Sequence, residues 1–346
     1  MKNNVTINAV AREAGVSIST VSRVLNGTAR VAPEKQFKVE NAMLKLGYRT
    51  QLVASHRTSS KLKSIGVMLQ DLTSTYYTHA ISGIEQALQD TGHYPVFISG
   101  HWNPATEQEA LEILLDRQVA GLIVIGGYLS EDHLRTLTRQ IPLVILDRLV
   151  KGLEKHCIPM NNTLGAYMAT KHLLDLGHRQ IAHVAGMAGN QDSIERLAGY
   201  RQALTDAGVP YDAHLVIQGD FRELSGILAV EILLSRSVQF SAIFCANDQM
   251  AYGVRLALFR KGIRVPQDIS LVGFDDIAGS DYITPPLTTI KHPIYEMGFA
   301  AGKGLLKVLN QQPFPSFPDF PPSLVVREST TMLFKPRYQP QKRFDF

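Results

Sequence analysis

Five dipeptides stand directly behind apolar runs in this 346-residue chain: Gln70-Asp71, Asp147-Arg148, Asp220-Phe221, Asn247-Asp248 and Asp275-Asp276. Carboxylates, amides and a guanidinium in such places can hold several hydroxyl groups by paired hydrogen bonds. An aromatic ring such as Phe221 can stack on the apolar face of a sugar. Each position also suits an ordinary helix N-cap, where Asp and Asn commonly follow a strand. Taken singly they read as caps; as a set converging on one cleft they read as a binding site. A second group lies near the start, with Ser17, Ser19, Thr20, Ser22, Arg23 and Asn26 inside ten positions. Hydroxyls and amides there can bond phosphates or base edges, and an arginine can pair bidentately with guanine.

Helices must position that second group. Thr6 caps a short helix in which Ile7, Val10, Ala11 and Ala14 repeat at helical spacing, and Gly15 ends it. Ser17 caps a second helix with Ile18, Val21, Val24 and Leu25 as its apolar set. Two short helices joined by a Gly-containing turn make a helix-turn-helix. Its second helix is polar and basic outward, as one entering a major groove must be. Pro33 opens a third helix with Phe37, Val39, Met43, Leu44 and Leu46 as apolar positions. A small helical bundle with a polar surface is the alternative.

The first group belongs to a different kind of segment. From residue 64, runs such as SIGVML, YPVFIS, AGLIVIG and PLVILD alternate with helical patterns, and the rhythm repeats through QIAHVAG, HLVIQGD, SAIFCAND and ISLVGFDD. This is the βαβ pattern of parallel sheets covered on both faces. Two such lobes suggest a clamshell with ligand between them, since open α/β sheets bind at the carboxyl ends of their strands.

Charge divides along the same line. Residues 1–63 carry 11 Lys/Arg against 3 Asp/Glu, residues 64–334 carry 20 against 27, and the tail 335–346 carries 4 against 1. A basic head on an acidic body suits a head that meets a polyanion, because released counterions drive such binding. A hydrophobic content of 45% with 19% charged residues is that of an ordinary globular protein. Two distant cysteines, Cys157 and Cys245, imply no disulfide framework. With no signal-peptide core at the start and no apolar stretch long enough to span a membrane, the expectation is a cytoplasmic protein.

The run TINAVAREAGVSISTVSRVLNG resembles the headpiece signature of the LacI/GalR family of regulators, and SIERLAGY, CANDQMAYGV and SLVGFDDI are similar to its effector-domain motifs. The resemblance spans essentially the whole chain. It implies an all-α helix-turn-helix headpiece joined to a two-lobed, periplasmic-binding-protein-like α/β body with two parallel doubly wound sheets. The implied divisions are a headpiece at 1–48, a hinge at 49–63, a body at 64–335 and a tail at 336–346. The body's N-lobe takes about 64–160 plus 291–321, and its C-lobe about 161–290 plus 322–335.

By resemblance, Ile18 and Ser19 sit where the family's variable base-reading residues lie, and Thr20, Ser22, Arg23 and Asn26 match its constant contact positions. Thr6, Ser17 and Lys35 are counted with this DNA-binding set. In the effector domain, Arg196, Asn247 and Asp275 are the implied trio, with Gln70, Asp147 and Phe221 nearby and Tyr76 and Tyr77 over the ligand.

Several positions depart from the family pattern. The third helix begins with Ala32, Lys35 and Gln36 where a Ser and then Thr-Arg are usual. The hinge reads Thr50-Gln51 for Pro-Asn, and Arg57 replaces the leucine that wedges the minor groove, with His56 one residue away. Weaker kinking is therefore expected, with Arg57 reading a narrow minor groove electrostatically or, as an alternative, touching phosphate only. In IPMNN, Asn161 replaces an aspartate.

The expected function is that of a repressor whose operator affinity is changed by a small effector, a neutral sugar or glycoside. Nucleobases, nucleosides and sugar phosphates are the alternatives. The expected partners are double-stranded DNA with an inverted repeat, the effector and a second copy of the chain. Segments 72–90 and 92–117 supply the dimer face by resemblance, and the tail lacks the heptads of a coiled coil. The prolines of 313–322 read as a rigid connection between lobes.

An enzyme is a poor fit, because the chain has no Walker sequence, nucleophile elbow or HExxH. Gly186 and Gly189 hint only weakly at a phosphate-cradling turn. No metal or cofactor is expected, since His56, His183 and His292 lack ligand partners at useful spacing. A transport solute-binding protein would lack the basic head.

Overall fold

The structure, a computed structural model, describes residues 6–26, 31–46, 64–236 and 238–333, and the chain divides into two compact units between Lys63 and Ser64. The expected hinge at 49–63, with Arg57, and the tail at 336–346 lie outside the described residues.

The first unit has three described helices, α1 (Ile7–Ala14), α2 (Ile18–Asn26) and α3 (Pro33–Leu46). The Thr6 side chain accepts from the Ala9 N–H, and Gly15 ends α1 in the left-handed region at φ 64°, which a residue without Cβ adopts freely. Val10, Ala11 and Ala14 of α1 meet Val21 of α2 and Val39 and Ala42 of α3 in one small core. The expectation for Phe37 is corrected, because its side chain is 65% exposed. Val39, Ala42, Met43 and Leu46 form the inward stripe at i, i+3, i+4 and i+7, and a residue two positions before it points away.

The second unit holds two sheets. The first contains β1 (Ser64–Leu69), β2 (Tyr94–Ser99), β3 (Gly121–Ile125), β4 (Leu143–Leu146) and β5 (Cys157–Ile158) in the order β2-β1-β3-β4-β5. The second contains β6 (Ile181–Ala185), β7 (Val216–Gln218), β8 (Ala242–Cys245), β9 (Ser270–Asp275), β10 (Thr288–Lys291) and β11 (Ser323–Val325) in the order β11-β10-β9-β8-β6-β7. From β6 to β10 the second sheet repeats the winding of the first, each being 2-1-3-4-5 in its own chain order. Among the described residues one pairing departs from the parallel expectation: β11 runs antiparallel to β10.

The strands are apolar throughout because both faces are covered. In the first lobe, which also carries α5 (Pro104–Asp116) and α6 (Glu131–Leu137), α4 (Thr75–Leu88) lies against α11 (Ile294–Leu309), and a side chain on Gly83 would collide with the Tyr295 carbonyl. In the second lobe α7 (Asn162–Asp175) packs on α8 (Gln191–Asp206), and α9 (Glu223–Ser235) packs on α10 (Asp248–Arg260). The chain crosses between the sheets after Ile158, after Lys291 and between Leu309 and Ser323. The last crossing contains the proline-rich segment, whose Phe314, Phe317 and Phe320 rest against the core.

His183, inside β6, is covered on both faces, with the Tyr200 ring at 5.0 Å and the Phe244 ring at 4.8 Å. Its Nδ1 lies 3.0 Å from the Phe244 carbonyl. Burial lowers its pKa from 6.5 to about 4, with the carbonyl opposing and Arg196 and Arg201 adding to the shift. As pH falls through 6.5 the unfolded chain takes up a proton here, while the folded ring stays neutral until about 4. Stability present above that window is therefore lost across it, by about 3 kcal/mol. The cleft carboxylates with raised pKa act in the opposite sense, so the informative quantity is a difference. Between about pH 7 and about pH 4.5 the melting temperature should fall more steeply for the native chain than for His183→Phe. Parallel slopes would remove His183 from the account.

Candidate functional site

In the first unit, α2 presents Ser19 and Arg23 to solvent, together with an Ile18 that is 51% exposed. An apolar side chain left out of so small a core marks this face as a surface for contact. Ser17 Oγ accepts from the Thr20 N–H at 3.2 Å and lies 2.9 Å from Ser19 Oγ and 2.8 Å from Thr20 Oγ1. Thr6 and Ser17 thus spend an acceptor on capping, as local sequence demanded. Thr20 and Ser22 are half-buried, and Lys35 is exposed at the start of α3. The side chain of Asn26 lies outside the described residues.

In the second unit the carboxyl ends of both sheets face one cavity. Asp71 follows β1, Tyr76 and Tyr77 begin α4, Trp102 follows β2 and Asp147 follows β4. From the other lobe come Asp192 and Arg196 on α8, Phe221 after β7, Asn247 after β8 and Asp275 at the end of β9. Trp102, Asp147, Phe221 and Asp275 all have positive φ, from 55° to 105°. Side-chain-bearing residues rarely adopt that backbone, and it concentrates where a side chain must be aimed.

One polar network joins the lobes at the cavity floor. Tyr76 Oη donates to Asp147 Oδ2 at 2.7 Å. His292, in the crossover after β10, has Nε2 3.4 Å from Asp147 Oδ1 and Nδ1 3.8 Å from Asp275 Oδ1. Arg196 Nη1 lies 3.4 Å from Asp275 Oδ1 and donates to the Ala246 carbonyl at 2.5 Å, while its Nε donates to Asn162 Oδ1 at 2.8 Å. The guanidinium sits 3.9 Å from the centre of the Phe274 ring. Asp147 Oδ1 and Asp275 Oδ1 are buried without a hydrogen bond among the described residues.

Burial, followed by the charge of Asp192, raises the Asp147 pKa to about 7 against the opposing pull of His292, Tyr76 and Arg196. Burial likewise raises Asp192 to about 6, with Arg196 opposing and Glu195 and Asp275 adding to the rise.

The lobes meet around this floor. Trp102 stacks on Phe221 with centroids 5.9 Å apart and 25° between planes. Ser74 Oγ donates to Gln249 Oε1 at 2.7 Å, and Arg222 Nη2 lies 3.5 Å from Asp71 Oδ2. A side chain on Gly186 would overlap the Phe221 ring, so this glycine makes room for an aromatic plate.

Of the expected effector residues, Tyr76, Tyr77, Asp147, Arg196, Phe221, Asn247 and Asp275 line the cavity together. Gln70 does not. It is fully buried behind the wall, where its Oε1 accepts the Trp102 N–H at 3.2 Å. Asn247 is both cap and support, since its Oδ1 accepts from Met250 N at 3.0 Å and its Nδ2 donates to the Phe221 carbonyl at 2.9 Å. Asn161 caps α7 through the Leu164 N–H. Trp102, Asp192 and His292 were not anticipated. Applying the strand-end rule to β2 and β10 would have found Trp102 and His292, whereas Asp192 reads locally as a first-turn acid.

Two family profiles match the chain: "Bacterial regulatory proteins, lacI family" over residues 6–51 and "Periplasmic binding protein-like domain" over residues 170–330. The HTH-type transcriptional regulator GalR of Escherichia coli (strain K12) is 34% identical over 328 residues, covering 94% of this chain and 96% of that protein. Among solved structures, the lac repressor dimer bound to operator and the anti-inducer ONPF superposes with a TM-score of 0.71 at 30% identity, covering 95% of this chain and 100% of that one. The complex of transcriptional regulator CelR with cellobiose gives 0.70 at 29% identity, covering 94% and 99%. The chain belongs to the lacI family of bacterial regulatory proteins, DNA-binding transcriptional regulators that respond to small-molecule effectors.

Proposed function

We propose that this regulator is a homodimeric repressor, with no enzymatic activity, whose operator affinity is set by a neutral sugar or glycoside held between the two lobes. The observation that carries the effector class is the pair of carboxylates lining the cavity, Asp147 and Asp275, whose Oδ1 atoms have ion-pair neighbours but no hydrogen bond among the described residues, beside aromatic side chains. Hydroxyl groups supply donors to such oxygens, and the ring's apolar face suits Trp102 or Phe221. A phosphate would need an uncommitted cation. Both lining arginines are engaged, Arg196 with Asp275 and Arg222 with Asp71. The relatives fit a sugar too, one being a complex with cellobiose.

In the headpiece we assign base reading to Ile18 and Ser19, and backbone or base contacts to Thr20, Ser22, Arg23, Asn26 and Lys35. Arg57 is assigned to the minor groove. One recognition helix buries too little to select a genomic site, so two copies are required. An apolar surface suited to pairing is present on α9 and α10, where Leu224, Leu228, Leu256 and Phe259 are exposed. Leu72, Tyr94 and Ile113 expose further apolar area in the segments expected from resemblance. A regulator of DNA works where the DNA is, and we place it in the cytoplasm; no described helix is long and apolar enough to cross a membrane.

The test is selection of genomic fragments by the dialysed protein at physiological salt, repeated with a panel of sugars. A single recovered inverted repeat, released by one sugar, is the expected result. Salt-sensitive retention of unrelated fragments would refute operator specificity. Release by a nucleoside or a sugar phosphate alone would refute the effector class.

A further inference from the structure

A second cavity of about 350 Å³ opens beside the first and shares two residues with it, Asp147 and Asp192. It is built from the loop after β3, the residues after β4, the crossover after β5 and the start of α8. The wall between the chambers is aromatic. Trp102 lines the first and Tyr128 the second, with ring centroids 6.3 Å apart and planes at 73°. Tyr128 Oη reaches across to Met187 Sδ of the other lobe at 3.3 Å.

On the side of α4 and α10 the first chamber is closed by the Ser74–Gln249 and Asp71–Arg222 contacts. Past Asp147 and Asp192, which line both chambers, a ligand longer than one ring can extend into the second. We propose that the effector is a two-ring ligand, a disaccharide or ring-bearing glycoside, with one ring in the first chamber beside the Trp102–Phe221 stack and the second in this antechamber. The proposal rests on the sugar reading and adds to it the size and charge of the ligand.

Three features of the antechamber suit a hydroxylated ring. Tyr128, Met160 and a 60% exposed Leu149 offer apolar surface to its face. Gln191 and Glu195 offer amide and carboxylate groups to its hydroxyls, and Asp147, which lines both chambers, offers a further carboxylate. Among the described lining residues the one cation, Arg148, donates through Nη1 to the Leu129 carbonyl at 2.6 Å and is outnumbered by Glu131, Glu195, Asp147 and Asp192. The second ring is therefore not anionic.

The test is calorimetric titration of the full-length protein with glucose, galactose, cellobiose, lactose, maltose and melibiose, together with adenosine and glucose 6-phosphate. One disaccharide should bind at least about tenfold more tightly than either of its component sugars. Leu149→Trp and Gln191→Trp fill the antechamber from exposed positions, and each should collapse that preference toward unity. Thermal melting of both variants checks that they fold. A monosaccharide that binds as tightly as any disaccharide, with neither tryptophan having an effect, overturns the two-ring inference and leaves the sugar reading standing. Binding by adenosine or glucose 6-phosphate alone, or by no neutral sugar, overturns both.

Discussion

Replacing Arg196 by alanine is expected to cost about 3–5 kcal/mol of folding stability and to abolish the response to effector, because it strips a buried charge network of its cation. The residue is 4% exposed and holds together parts of the C-lobe that are distant in sequence. Its Nε bonds Asn162 at the crossover, Nη1 bonds the Ala246 carbonyl after β8, and the same nitrogen faces Asp275 at the end of β9. Alanine leaves Asp275 and Asp192 facing each other in a buried space without the guanidinium that lowers the Asp192 pKa. Protonation of Asp192, whose pKa burial already raises to about 6, relieves part of the repulsion, so the variant should lose less stability at about pH 5 than at about pH 7.5.

Arg196→Lys separates charge from shape. It keeps a cation near Asp275 but cannot reproduce the planar stack on Phe274 or the simultaneous bonds to Asn162 and Ala246. An intermediate loss is expected. Denaturant unfolding and calorimetry on the same preparations read both effects. A native melting curve for Arg196→Ala would refute a structural role, and retained sugar-induced operator release would refute its place in the response.

What was legible in the sequence follows from how locally each feature is encoded. The headpiece was readable because capping and helical spacing act within a few residues: Thr6, Gly15 and Ser17 each perform the local task their types suggest. Phe37 was misread because its neighbours supplied apolar residues at a spacing that fits more than one stripe. The cleft was readable wherever an apolar run visibly ended in a polar residue, as at Asp147, Asn247 and Asp275. It was not readable where function depends on another lobe. Nothing near Trp102 announces that its ring meets Phe221 from the other lobe, and nothing near Gln70 announces that its amide holds the Trp102 backbone. His292 follows a strand of four residues, too short to stand out, yet the topology places it between an aspartate of each sheet. The antechamber is still less local, since its walls come from segments after β3, β4 and β5 and from the start of α8.

Val21→Asp should abolish operator binding while leaving effector binding intact. Val21 is fully buried where α2 meets α1 and α3, in a core whose other buried members are Val10, Ala11, Ala14, Val39 and Ala42. A core with six such side chains among the described residues, three of them alanines, has little stability to spare, and an unpaired carboxylate within it costs several kcal/mol. The first unit should therefore unfold. Affinity for the operator should fall by at least about a thousandfold, the lower end of the span that separates specific from non-specific binding. The second unit has its own cores, from Ile65 through Leu306, and shares none of these residues. Its melting temperature and its affinity for sugar should match those of the native chain. Arg23→Ala supplies the contrast, because Arg23 is exposed on the same helix and its loss leaves the core untouched. That variant should keep the headpiece folded and lose operator affinity by a smaller factor, about five- to a hundredfold. Nuclear magnetic resonance of the headpiece amides distinguishes the two cases. If Val21→Asp also lowered sugar affinity, the two units would not be energetically separate. If it left operator binding intact, α2 would not be the recognition element.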